Sequence, residues 1–135
     1  MAIAVPPAPA QYDFLAYKFT IAGTSSSANV FAYLGNPFGI DVVVKRLIVR
    51  ITTQSTGAST LDIGIGATSS TANDGLIDGA SAATAGLLDN ALAANAGTNG
   101  KPSQVWTADA YLTIKEASGD VDGLAATIFV EAVPA

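Results

Sequence analysis

Residues 41–54 gather Val42, Val43, Val44, Leu47, Ile48, Val49 and Ile51 into one run. Such a density of β-branched side chains is crowded in a helix and packs well on a pleated strand. From Leu47 onward the odd positions are apolar, while Arg46 and Arg50 share the even side with Ile48. That period of two marks a strand with one buried face. After Ser55-Thr56-Gly57-Ala58 the pattern resumes, with Leu61, Ile63 and Ile65 on one side and Asp62, Gly64 and Gly66 on the other. The runs 41–54 and 59–67 are expected to form a hairpin.

Alternation frames the rest of the chain. Leu15, Tyr17, Phe19 and Ile21 share a face that reads as inward, opposite Phe14, Ala16, Lys18 and Thr20. A second short strand over 28–34 closes at Gly35-Asn36-Pro37-Phe38-Gly39, which carries turn residues and a proline. A further strand opens at Val105 and Trp106 and continues through Tyr111–Ile114. The last, 124–133, is partly apolar on both faces, as suits a central strand or one buried in an interface. Between these groups, 68–104 is rich in Ala, Ser, Thr, Asn and Gly, and reads as a long ordered loop with one helical turn. A longer helix over 82–94 is weakened by Gly86 and Asn90. The expected fold is all-β: an antiparallel β-sandwich of jelly-roll type, one domain over 12–135, with that loop between its strand groups. One domain is also what 135 residues support.

Residues 1–11 stand apart. Pro6, Pro7 and Pro9 favour an extended path and cannot enter a sheet interior. With apolar Ile3 and Val5, they read either as a frayed terminus or as an extended arm laid on a neighbouring subunit. The segment lacks the basic start and sustained apolar stretch of a signal peptide, and no apolar run reaches the length of a membrane span.

Chemistry is constrained by what is missing. With no Cys and no His, thiolate metal sites and the usual general base are gone, and hydroxyl nucleophiles have no imidazole to activate them. The net charge of −5 and six scattered basic residues argue against a nucleic-acid partner. No catalytic, cofactor-binding or metal-binding residue is assigned. Asp74, Asp78, Asp89, Asp120 and Asp122 could hold a hard cation, but Asp beside Gly is first of all a turn former. Trp106, with Tyr111 nearby, is a candidate glycan platform, although a lone Trp at a strand start is more often a core or interface anchor. Charged residues make up 13% of the chain against roughly a quarter in ordinary soluble domains. Such a surface suits either burial against neighbours or solvation by small hydroxyl residues.

Several short stretches carry a likeness. The runs Leu61-Asp62-Ile63-Gly64-Ile65, Asn73-Asp74-Gly75-Leu76-Ile77-Asp78-Gly79, Gly97-Thr98-Asn99-Gly100-Lys101 and Gly123-Leu124-Ala125-Ala126-Thr127-Ile128-Phe129-Val130 resemble small structural proteins of tailed bacteriophages. These include the capsid decoration, or cement, proteins. The resemblance spans roughly 14–133 and supplies no functional residues. It implies a non-catalytic virion subunit, a homotrimer, gripping the major capsid protein on the capsid surface. A receptor- or glycan-binding head-fibre or tail module is the alternative it leaves open.

Overall fold

A computed structural model describes residues 14–24 and 29–135. Nine strands are seen there: β1 (Leu15–Ala22), β2 (Val30–Gly35), β3 (Val42–Thr53), β4 (Ser59–Gly66), β5 (Ile77–Ser81), β6 (Gly86–Asp89), β7 (Gln104–Trp106), β8 (Tyr111–Gly119) and β9 (Ala125–Pro134). One helical turn, α1 (Ala93–Ala96), lies between β6 and β7. The strands form two antiparallel sheets, one ordered β1-β9-β3-β6 with β7 also on β3, the other β2-β8-β4-β5. The sheets pack face to face, and we call them the first and second sheet.

The core is the alternation made physical. Val42 and Val44 are buried, then Leu47, Val49 and Ile51. The inward set changes from even to odd because the β3–β9 register shifts between Val44 and Arg46. The extra residue of that bulge leaves both Lys45 and Arg46 exposed, rather than on opposite faces. From the second sheet Leu61, Ile63, Leu112 and Ile114 meet this layer, all fully buried. At roughly 2 kcal/mol for each large aliphatic side chain taken out of water, these residues dominate the favourable side of folding. Strand β9 sits between β1 and β3 and buries Ala126, Ile128, Val130 and Ala132 on its inner face, while Phe129 and Glu131 on the other face are exposed.

Three expectations are corrected. Runs 41–54 and 59–67 are not a hairpin: β3 pairs with β9, β6 and β7, whereas β4 pairs with β8 and β5. The link between them crosses from one sheet to the other. Its backbone is tied by Ser55 N–H to the Ala82 carbonyl (3.1 Å) and Thr56 N–H to the Asp122 carbonyl (2.8 Å). Gln54-Ser55-Thr56-Gly57-Ala58 lacks the two-residue Asn-Gly or Asp-Gly signal of a tight hairpin, and two wholly apolar strand faces bury more when stacked than side by side. Residues 68–104 are not one loop, because they contain β5, β6 and α1, and begin a third strand, β7. The apolar pairs Leu76-Ile77 and Leu87-Leu88 are too short to show a period, yet β4 and β3 recruit the strands beside or around them. The stretch at 105–114 divides, with β7 in the first sheet and β8 in the second, joined by a turn in which Ala110 N–H bonds the Thr107 carbonyl.

Candidate functional site

The outer faces of the two sheets differ. Over the second sheet the segment 67–76 folds back across Gly64 and Gly66, both of which are buried. A Cβ on Gly64 would run into the Asn73 side chain, and one on Gly66 into the Thr71 carbonyl, so the close approach needs glycine at both. Asn73 Oδ1 accepts the Gly75 N–H at 2.8 Å and the Gln104 amide at 3.0 Å. Thr113, on the outward side of β8, is consequently fully buried and donates to the Gly64 carbonyl.

At the rim of this segment Asp62, Asp74 and Asp78 each bring a carboxylate oxygen within 4.8 Å of the others. Asp62 and Asp78 meet through the β4–β5 register. Asp62 accepts the Gly79 N–H, while Asp78 and Asp74 accept from the Asn99 backbone N–H and side-chain amide. Burial pushes the Asp62 carboxyl above its ordinary range, opposed by the Gly79 hydrogen bond and assisted by the charge of Asp78. Three carboxylates are half of the oxygen shell that calcium takes, and Lys115 lines the same small cleft as Asp62 and Asp74. Asp74 and Asp78 were visible as acids in the sequence. Asp62 joins them by strand pairing, and the signal for it is its outward place in 61–66. Asp89 goes elsewhere, to Arg46 in the first sheet at 2.6 Å, where the guanidinium hydrogen bond holds its carboxyl below the usual range.

The outer face of the first sheet carries no such cover among the described residues. Strand register sets out three rows across it: Ala16, Glu131, Arg46; Lys18, Phe129, Ile48, Asp89; and Thr20, Thr127, Arg50, Leu87. Phe129 and Ile48 lie side by side at the centre, and Phe129 is 36% and Leu87 65% exposed. Lys18, Glu131, Arg46, Arg50 and Asp89 ring them. Two shallow clefts open on this face, one of about 220 Å³ at Lys18, Phe129 and Glu131 and one of about 490 Å³ at Arg50, Thr52 and Leu87. An apolar centre with a polar rim is how protein-docking surfaces are built. The sequence showed Ile48 on the side of Arg46 and Arg50, and Phe129 on one side of a strand that is partly apolar on both. Only the register shows that they are cross-strand neighbours.

The aromatic candidates separate. Trp106 is fully buried, donates its indole N–H to the Ala110 carbonyl at 3.0 Å and packs edge-on against Phe38. It has no ring face to offer a sugar and is a core anchor, which corrects the glycan-platform reading at this position. Tyr111 is half-buried and packs edge-on against Tyr33, which is 60% exposed on the outer face of the second sheet. Ile3, Val5, Pro6, Pro7 and Pro9 lie outside the described residues. No protein-family model matches the chain, and no curated protein or solved structure is significantly similar to it.

Proposed function

We propose that this chain is a non-catalytic structural subunit of a bacteriophage virion that docks on the outside of the capsid shell, against the major capsid protein and copies of itself. The observation that carries the reading is the outer face of the first sheet, left uncovered by the described residues, with Phe129 and Ile48 inside a ring of charge. The second sheet covers its own outer face at Gly64 and Gly66, so the contrast lies within one molecule. A subunit that spends its life against a shell leaves one such face bare. Sparse charge elsewhere fits a surface with many neighbours.

Strand order supports a jelly roll. Apart from the short β7 on β3, β1, β3, β6 and β9 fall in one sheet and β2, β4, β5 and β8 in the other, so most connections cross between sheets. Eight strands in two such sheets form the architecture of many viral capsid and lectin domains. This is an analogy at the level of fold, and it adds to the docking face without replacing it.

The test is occupancy on shells of the phage that encodes the chain. Phe129→Asp places a charge at the centre of the face on an already accessible position. It should abolish shell binding while the circular dichroism spectrum stays that of the parent. If residues 1–11 act as an arm on the neighbouring surface, removing them should weaken binding with the fold intact. Full occupancy by Phe129→Asp would overturn the docking face, and absence of the chain from the virion would overturn the function.

A further inference from the structure

We infer that β1 is a self-complementary sheet edge, and that two copies of the chain join by antiparallel pairing of β1 with β1 in a register centred on Phe19. This deepens the self-assembly part of the proposed function and rests on it.

The two lateral sides of the sandwich are finished differently. On the β5/β6 side the segment after β6 closes the edges. Asn95 Oδ1 accepts the Asp89 N–H, the Asn99 N–H donates to Asp78, and the Gly97 backbone lies against the Asp78 carbonyl. On the other side β1 pairs with β9 and β2 with β8, and no further strand is added to either among the described residues. The β1–β9 ladder runs from Leu15 to Ala22 without a register shift, whereas β2 shifts between Val30 and Ala32. A long, bulge-free edge with no proline presents a regular row of backbone donors and acceptors, and a β-strand is the occupant that satisfies them. The core is also ajar here. Tyr17 faces inward opposite Val130 but is 40% exposed, and Phe19 beside it is only partly buried.

Charge and parity select the register. Residues opposite one another across a continuing sheet point to the same face, so a strand meeting its own copy pairs odd with odd and even with even. Centred on Lys18, the two ammonium groups would oppose each other directly, which is destabilising. Centred on Tyr17 or Thr20, the overlap shrinks to the end of the strand. Centred on Phe19, residues 16–22 are all engaged, Lys18 faces the partner's Thr20, and Tyr17 faces the partner's Ile21. Seven residues span roughly 23 Å, and two sheets with their side chains about 20 Å, so the joined edges bury on the order of 900 Å² in total. That is the size of a weak, reversible interface between copies. A strand paired with itself closes at two copies, in contrast to the trimer that the phage resemblance implies.

The register makes Thr20 diagnostic, because it is exposed and outward-facing, opposite Thr127 of its own sheet. Sedimentation equilibrium of the full chain should give a reversible species of twice 13.5 kDa. Thr20→Lys sets two symmetric Lys–Lys oppositions and should raise the dissociation constant about tenfold at low salt. Thr20→Glu sets two Lys–Glu oppositions and should lower it several-fold, and both shifts should shrink at high salt. Unchanged circular dichroism spectra confirm that neither variant alters the fold. A larger species that ignores both substitutions overturns the β1 pairing and leaves shell docking through Phe129 standing. A monomer at every concentration, as would follow if residues 1–13 covered their own edge, also overturns the pairing, while shell occupancy reports on the function separately.

Discussion

The β5/β6 side of the sandwich and the β1/β2 side solve the same problem in opposite ways. Both end in strands with backbone groups to satisfy. The first is closed from within by α1 and residues 97–101, down to the Lys101 N–H on the Gly75 carbonyl. The second ends on a straight strand with core aromatics partly in view. The difference teaches that this chain treats its edges selectively, so substitutions on the closed side should cost folding and those on the open side should cost association.

The largest effect is expected on the closed side. Leu76 is fully buried and its N–H bonds the Ile63 carbonyl, so Leu76→Ala should lower unfolding free energy by about 2–5 kcal/mol in urea titration. A loss under about 1 kcal/mol would break the comparison. Asn90 comes next. Its side chain accepts the Leu47 N–H at 2.8 Å and donates to the Lys101 carbonyl at 3.1 Å, stitching β3 to the closing segment. Asn90→Ala strands a buried N–H on the central strand and should cost about 1–3 kcal/mol, read the same way. On the open side, Tyr17→Ala should cost about 1 kcal/mol or less of folding, measured at concentrations where the chain is monomeric. It should also weaken self-association, which sedimentation reports.

The smallest effects come from two carboxylates that move in opposite directions. Arg46 depresses Asp89, so Asp89 stabilises the fold above its unfolded value near pH 4, and the contribution fades as pH falls through the lower folded value. Asp89→Asn should therefore destabilise at pH 7 and converge with the parent in acid. Asp62 is raised, chiefly by burial, so its charged form opposes folding at pH 7. Asp62→Asn should stabilise at pH 7, with the gain gone below about pH 4. Parallel melts of both variants from pH 7 to pH 3 check the signs.

Much of the fold was legible because alternation survives wherever a strand has one buried face. Leu47, Val49, Ile51, Leu61 and Ile63 were read as inward and are fully or almost fully buried. What the sequence hid depends on partners distant along the chain. Nothing local to 54–58 says whether two strong strands lie side by side or stack, and they stack. Strands β5 and β6 hold five and four residues, too few for a period, and exist because β4 and β3 pair with them. The proposed docking face was hidden for the same reason. Phe129 and Ile48 are 81 positions apart in the chain and meet through one rung of the β3–β9 ladder. Trp106 was read as a core or interface anchor before a glycan platform, and its full burial with the indole N–H on the Ala110 carbonyl decides for the core.

Hydrogen–deuterium exchange of residues 14–22 across a dilution series addresses the open edge most directly. The account predicts that half of the β1 amides, those turned away from β9, gain protection as concentration rises, while β3 and β8 exchange at the same slow rate throughout. Protection of β1 that does not change with concentration would contradict it.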